Sequence, residues 1–204
     1  MNTQDLQSQF MELQKAYGGE FKYDENGNII SLTPDHVKTV KKEFTEKSRT
    51  TKNGIEEFLL YNSDSASCFE LFYEYKDQLI PKVYWHGLAT TYIRSDNFYG
   101  YKQEVRNCFM ANIPERNHLM NRNEKKYLSS LGERVTIHRA MSNVEYLLGQ
   151  YGLSWTLDYK VAEFFQKKYN RNGDTQKTIE TKTIDVNEII AVFLSRDESE
   201  VIVL

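Results

Sequence analysis

Apolar residues recur at helical spacing from the first segment of the chain. Leu6, Phe10, Met11, Leu13 and Tyr17 fall three and four apart and predict a helix over residues 5–17. Residues 20–31 then alternate around Asn26-Gly27, a dipeptide that accepts positive φ at both turn centres, so two short strands are expected to meet in a hairpin. Thr33 followed by Pro34 reads as a helix cap and first-turn proline, and Val37, Val40 and Phe44 continue that helix. Residues 48–54 form a polar break.

Over residues 56–131 the pattern stays helical, with stops at Asn62-Ser63-Asp64, Pro81, Ser95-Asp96-Asn97 and Pro114. Phe69, Phe72, Tyr73 and Leu79 make one stripe, Val83, Leu88 and Tyr92 the next, and Val105, Phe109 and Met110 a third. These predict the core faces of a helical bundle. A short helix follows Asn121, carries Tyr127, Leu128 and Leu131, and ends at Gly132.

Beyond Gly132 the period changes. Residues 135–139, 178–184, 189–194 and 201–204 are rich in β-branched side chains and predict strands. Residues 142–148 and 158–169 keep helical stripes, the second capped by Asp158 with Val161, Ala162, Phe164 and Phe165 as its apolar face. The expected fold class is α+β, with a mostly helical region with a short hairpin over residues 1–131 and an α+β core over residues 132–204.

Composition narrows the function. With 204 residues, 40% apolar and 27% charged, the chain can bury an ordinary core. No run approaches the roughly 18 apolar residues of a membrane span, and the N-terminus lacks the basic-then-apolar build of a secretory signal, so a cytoplasmic protein without a membrane partner is expected. Residues 1–120 hold 14 Lys and Arg against 17 Asp and Glu, and residues 121–204 hold 12 against 12. This balance disfavours general nucleic-acid binding. Cys68 and Cys108 read as core thiols, and His36, His86, His118 and His138 are scattered without ligand spacing, so no metal is expected.

Three polar groups sit beside strands that otherwise ask for burial. Arg139 closes the strand over residues 135–139. Its planar fork of donors suits a phosphate, although an ion-paired arginine fits the same position. Gly152-Leu153-Ser154-Trp155-Thr156 places hydroxyls ahead of the Asp158 helix, where they orient a ligand or simply cap the helix. Glu198-Ser199-Glu200 enters the last strand. Residues two apart on a strand share a face, so both carboxylates should point one way, into a site or into solvent at a sheet edge.

Taken in order, Arg139, Ser154-Trp155-Thr156 and Glu198-Ser199-Glu200 resemble the Arg, Ser-x-Ser/Thr, Glu-x-Glu signature of the mono-ADP-ribosyltransferase family. ESEVIV is similar to that family's closing motif and GLSWTLDYKVAEFF to its central strand-to-helix segment. MNRNEKKYLSSLGERVTIHRA is similar to the lead-in of uncharacterised bacterial and phage proteins of this type. The resemblance covers residues 120–204. It departs from the family at His138 and Ala140, where an aromatic and a glycine usually flank the arginine, and at Thr156, which stands for serine.

The resemblance implies a split β-sheet core that takes NAD as co-substrate, without metal, and breaks the bond between nicotinamide and ribose. Glu200 would stabilise the charge that develops on the sugar. Glu198 would orient or deprotonate the acceptor, a glutamate here pointing toward an arginine side chain. Arg139 would hold the pyrophosphate, and Ser154 and Thr156 would brace Glu200 and the site wall. Phe165, or alternatively Phe164 or Tyr169, would stack on nicotinamide, with plain hydrophobic packing of that helix as the favoured competing reading. The implied activity is transfer of ADP-ribose to a protein acceptor, as in phage or bacterial effectors. Hydrolysis of NAD by water and a non-catalytic binding module on the same fold are the alternatives.

Overall fold

The computed structural model describes residues 8–9, 11–12, 20–27, 29–33, 42–96, 98, 100–149, 151–168, 177–195 and 198–204. The chain divides into two compact units, residues 1–43 and 44–204.

In the first unit, β1 (Glu20–Tyr23) and β2 (Ile29–Thr33) pair antiparallel, as the alternation predicts. Their turn differs from the expected one. The Gly27 N–H closes a turn onto the Asp24 carbonyl, the Asp24 side chain accepts from the Asn26 N–H, and Gly27 but not Asn26 takes a positive φ, 80°. An aspartate side chain that bonds the backbone two residues on stabilises such a turn without a second left-handed residue. Of the helix expected over residues 5–17, only residues 8–9 and 11–12 are described, and they are helical. The helix expected after Pro34 lies outside the described residues up to position 41. Phe44 is not helical, and it packs against Phe58 and Tyr75.

The second unit begins with a helical layer: α1 (Glu46–Thr50), α2 (Lys52–Asn62), α3 (Cys68–Tyr75), α4 (Pro81–Arg94), α5 (Lys102–Met110) and α6 (Arg122–Ser130). The polar stretch over residues 48–54 is helical except at Thr51, contrary to the expected break. Thr51 caps α2 by accepting from the Gly54 N–H, and a side chain at Gly54 would collide with the Lys47 carbonyl. Caps and close backbone approach, more than apolar period, decide that segment. Asn121 caps α6 in a reciprocal box with Glu124, whose buried carboxylate also accepts from the Leu194 N–H.

After α6 come β3 (Arg134–Ser142), α7 (Asn143–Leu148), β4 (Ser154–Thr156), α8 (Tyr159–Lys168), β5 (Lys177–Asp185), β6 (Ile189–Phe193) and β7 (Glu200–Val203). The strands form one five-stranded antiparallel sheet in the order β5-β3-β4-β7-β6. This is a mixed α+β architecture with the helices first and the sheet after them. The change from helix to strand near residue 132 falls within the second unit.

Both faces of the sheet are covered. Alternate residues Ala191, Phe193 and Ile202 join Phe72, Trp85 and Phe109 in the core beneath the helices. Val192, Val201 and Val203 face the opposite way, into a second core with Ile137 and Trp155. This is the two-residue period of strands written into packing. Cys68 and Cys108 are buried in the first core, as expected. No helix among the described residues is long and apolar enough to cross a membrane.

The sheet is held unevenly. β3 and β5 pair along their whole length, from Arg134 opposite Asp185 to Ser142 opposite Lys177, whereas β3 and β4 share one residue pair, His138 opposite Thr156. Toward Ser154, beyond that pair, the two strands share no further ladder pair. The cleft described below opens at this joint.

Gly54→Ala is expected to destabilise the protein by about 1–3 kcal/mol, because the added methyl forces α1 and α2 apart. Urea denaturation measures this, and an unchanged midpoint would refute the packing argument.

Candidate functional site

Where β3 and β4 part, a cleft of about 180 Å³ is lined by residues from β3, β4, α8, β5 and the approach to β7. Arg139, Ser154, Thr156, Phe165, Glu198 and Glu200 all line it, so the sequence-predicted residues meet in one place. Asp158 caps α8, its carboxylate accepting from the Lys160 N–H, and directs the helix so that Val161, Ala162 and Phe165 form one wall. Phe164 is half exposed and does not belong to that wall, contrary to the expected apolar face, and Tyr169 lies outside the described residues.

Glu200 is the focus. The Ser154 hydroxyl donates to its Oε1 at 2.5 Å, and the Tyr92 hydroxyl, from α4, reaches the same oxygen at 3.3 Å. A hydroxyl bonded to an ionised group is typically worth about 1.5–3 kcal/mol, so the carboxylate is set in one orientation. Tyr92 is buried and stacks on Phe98 with ring centroids 4.9 Å apart. Burial first, and the nearby Glu200 charge second, raise its hydroxyl well above the ordinary tyrosine range, against the opposing pull of Arg139. Tyr92 therefore remains a proton donor to the carboxylate.

Arg139 is engaged by the protein. Its Nε and Nη2 donate to Glu145 Oε1 at 3.1 and 2.9 Å, and its Nη1 donates to the Ser154 carbonyl at 2.6 Å. Glu145 also accepts from the Gly152 N–H at 2.7 Å. Gly152 has no room for a side chain, because a Cβ there would lie 2.8 Å from the Arg139 Cζ. The guanidinium is thus clamped between a carboxylate, a carbonyl and a glycine, while still lining the cleft.

Thr156 does not brace the Glu200 carboxylate. Its hydroxyl donates to the Glu198 carbonyl at 2.6 Å and accepts from the Asp158 N–H at 3.1 Å, so it ties the approach to β7 to the start of α8. The reason lies in Ser199, whose φ of 42° turns the chain just before the strand. Glu198 precedes β7, so strand alternation is not what brings the two glutamates to one cleft. His138 lines the cleft with Nδ1 2.9 Å from the Thr181 hydroxyl. Burial lowers its pKa, with the Asp158 charge opposing.

Glu145, Tyr92 and the packing role of Gly152 were missed by reading the sequence. Glu145 carried a signal, since Ser142-Asn143-Val144-Glu145 has capping-box spacing, and Ser142 does accept from the Glu145 N–H. The carboxylate, however, turns to Arg139. Tyr92 carried none, being 108 positions from Glu200. Among the described residues no group of three His, Cys, Asp or Glu side chains could hold a metal. Compared with models of protein families, with curated proteins and with solved structures, the chain matches none.

Because Tyr92 titrates higher folded than unfolded, the unfolded chain loses its proton first once pH passes about 10. Stability is then expected to fall as pH rises, and to fall less steeply in Tyr92→Phe, with the buried Tyr84 contributing equally to both proteins. Urea denaturation at about pH 9 and pH 11 checks this, and equal losses in both proteins would count against a buried, protonated Tyr92.

Proposed function

We propose that the protein is a mono-ADP-ribosyltransferase that transfers ADP-ribose from NAD to a protein acceptor. The observation that carries this reading is the convergence of Arg139, Ser154 and Glu200 on one cleft, with the Ser154 hydroxyl on the Glu200 carboxylate. These residues come from three strands and follow in the chain the order of the family signature they resemble. The near-division of the sheet between β3 and β4 supports a split-sheet core of the ADP-ribosyltransferase kind.

The chemistry follows from the bond to be broken. Cleavage between nicotinamide and ribose develops oxocarbenium-like positive charge on the sugar, and a carboxylate of fixed orientation lowers that barrier. Glu200 has that role, with Ser154 and Tyr92 as positioning residues. Arg139 carries five N–H groups, and its three bonds to protein leave donors for a pyrophosphate. Glu198 faces the acceptor and takes or orients its proton, and Phe165 offers its ring to nicotinamide. One observation favours a protein acceptor over water: α7, which supplies Glu145, exposes Val144, Leu147 and Leu148, an apolar patch of the kind that protein contacts cover.

With labelled NAD and a lysate, label is expected on a macromolecule, and Glu200→Gln is expected to lower the rate of NAD consumption by about 10²–10³-fold. Release of free ADP-ribose alone would turn the reading to hydrolysis. Absence of any NAD binding or consumption would end it.

A further inference from the structure

A second and larger cavity also borders Arg139. It measures about 700 Å³, within the range of about 300–1,000 Å³ typical of small-molecule sites, whereas the cleft at Glu200 is smaller than that range. The two cavities share Arg139 and Ser154. Its outer wall is α5 with the segment before it, and its inner wall is the Gly149–Ser154 approach to β4.

The lining has a definite chemistry. Phe98 and Tyr151, both partly exposed, supply aromatic surface, the Tyr92 ring being packed against Phe98, Phe109 and Phe193, and Lys102, Arg106 and Arg139 supply three cations. No aspartate or glutamate is among the described lining residues. Arg139 is neutralised by Glu145, but Lys102 and Arg106 make no ion pair among the described residues. Among the described residues Arg106 donates one long hydrogen bond, 3.5 Å, to the Tyr151 carbonyl. The chain as a whole carries a formal charge of -3, so this positive character is local. Arg106 also borders an adjoining cavity of about 240 Å³ that is lined in part by Lys182, which extends the basic surface.

We infer that this cavity is a binding site for a phosphorylated aromatic ligand of the nucleoside monophosphate class. The phosphate lies against Arg106 and Lys102, and the base lies against Phe98 and Tyr151. A planar base gains from aromatic surface, and a guanidinium offers a phosphate two parallel donors. An acidic peptide of aliphatic residues would leave the aromatic lining unused, and an apolar ligand would bring no anion to Arg106 and Lys102. The inference does not require Glu200 chemistry, since none of its ligand contacts involves that residue.

Calorimetric titration of the full chain with AMP tests it, with adenosine and inorganic phosphate as separate probes. AMP is expected to saturate one site, and adenosine and phosphate each to bind at least about tenfold more weakly, because each supplies half of the contacts. Arg106→Ala is expected to weaken AMP by about tenfold or more. Lys102→Glu, at an exposed position where folding is not at risk, is expected to weaken it in the same direction. Failure of AMP to bind saturably, binding of adenosine as tight as AMP, or AMP affinity unchanged in Lys102→Glu would each overturn the inference. NAD consumption is measured separately: its absence sinks the transferase reading and leaves AMP binding to stand or fall alone.

Discussion

At the joint between β3 and β4 the backbone ladder amounts to one residue pair, and the Arg139 guanidinium does across the opening what further ladder bonds would otherwise do. It donates to the Ser154 carbonyl on one strand while Glu145, from the helix that follows β3, holds it from behind. A half-buried cation in this position needs both partners, since removing either leaves charge or a polar group without compensation. Gly152 belongs to the same clamp, as only a residue without a side chain lets the guanidinium settle there. The cleft exists because the sheet opens, and it keeps its shape because this arginine spans the opening.

The helical layer is part of the site as well as its support. Tyr92 sits on α4, among the residues of the larger core, and its hydroxyl reaches Glu200 on the last strand. Its ring is held by Phe98, Phe109 and Phe193, so its position is set by packing on both the helical and the sheet side. Packed aromatic rings lose little further freedom when they hold a polar group in place, which makes such a tyrosine a precise positioning device. The same layer supplies Lys102 and Arg106, whose charges face a cavity that the sheet alone would not enclose.

Much of this was readable along the chain. The strands over β3, β5, β6 and β7 and the stops between helices follow from β-branched runs, prolines and Asn/Ser/Asp clusters, because those signals act through the local backbone. The hairpin around Asn26-Gly27 and the cap at Asp158 are local for the same reason. The meeting of Arg139, Ser154 and Glu200 is what their resemblance to the family signature implies, whereas strand alternation is not what brings Glu198 and Glu200 to one cleft. Ser199 adopts a left-handed φ that no strand periodicity contains.

What remained hidden depends on distance along the chain. Local preferences determine where a helix or strand begins and which face of it is apolar, and these were settled by residues within a few positions of one another. Which groups finally bond is decided when remote segments pack. Ser154 and Glu200 are 46 positions apart and Tyr92 and Glu200 108 apart, and Glu145 chooses Arg139 over its own helix end only because β3 delivers the guanidinium there. Side-chain hydrogen bonds are short and directional, so they are fixed by the folded geometry and leave no period or spacing behind in the sequence.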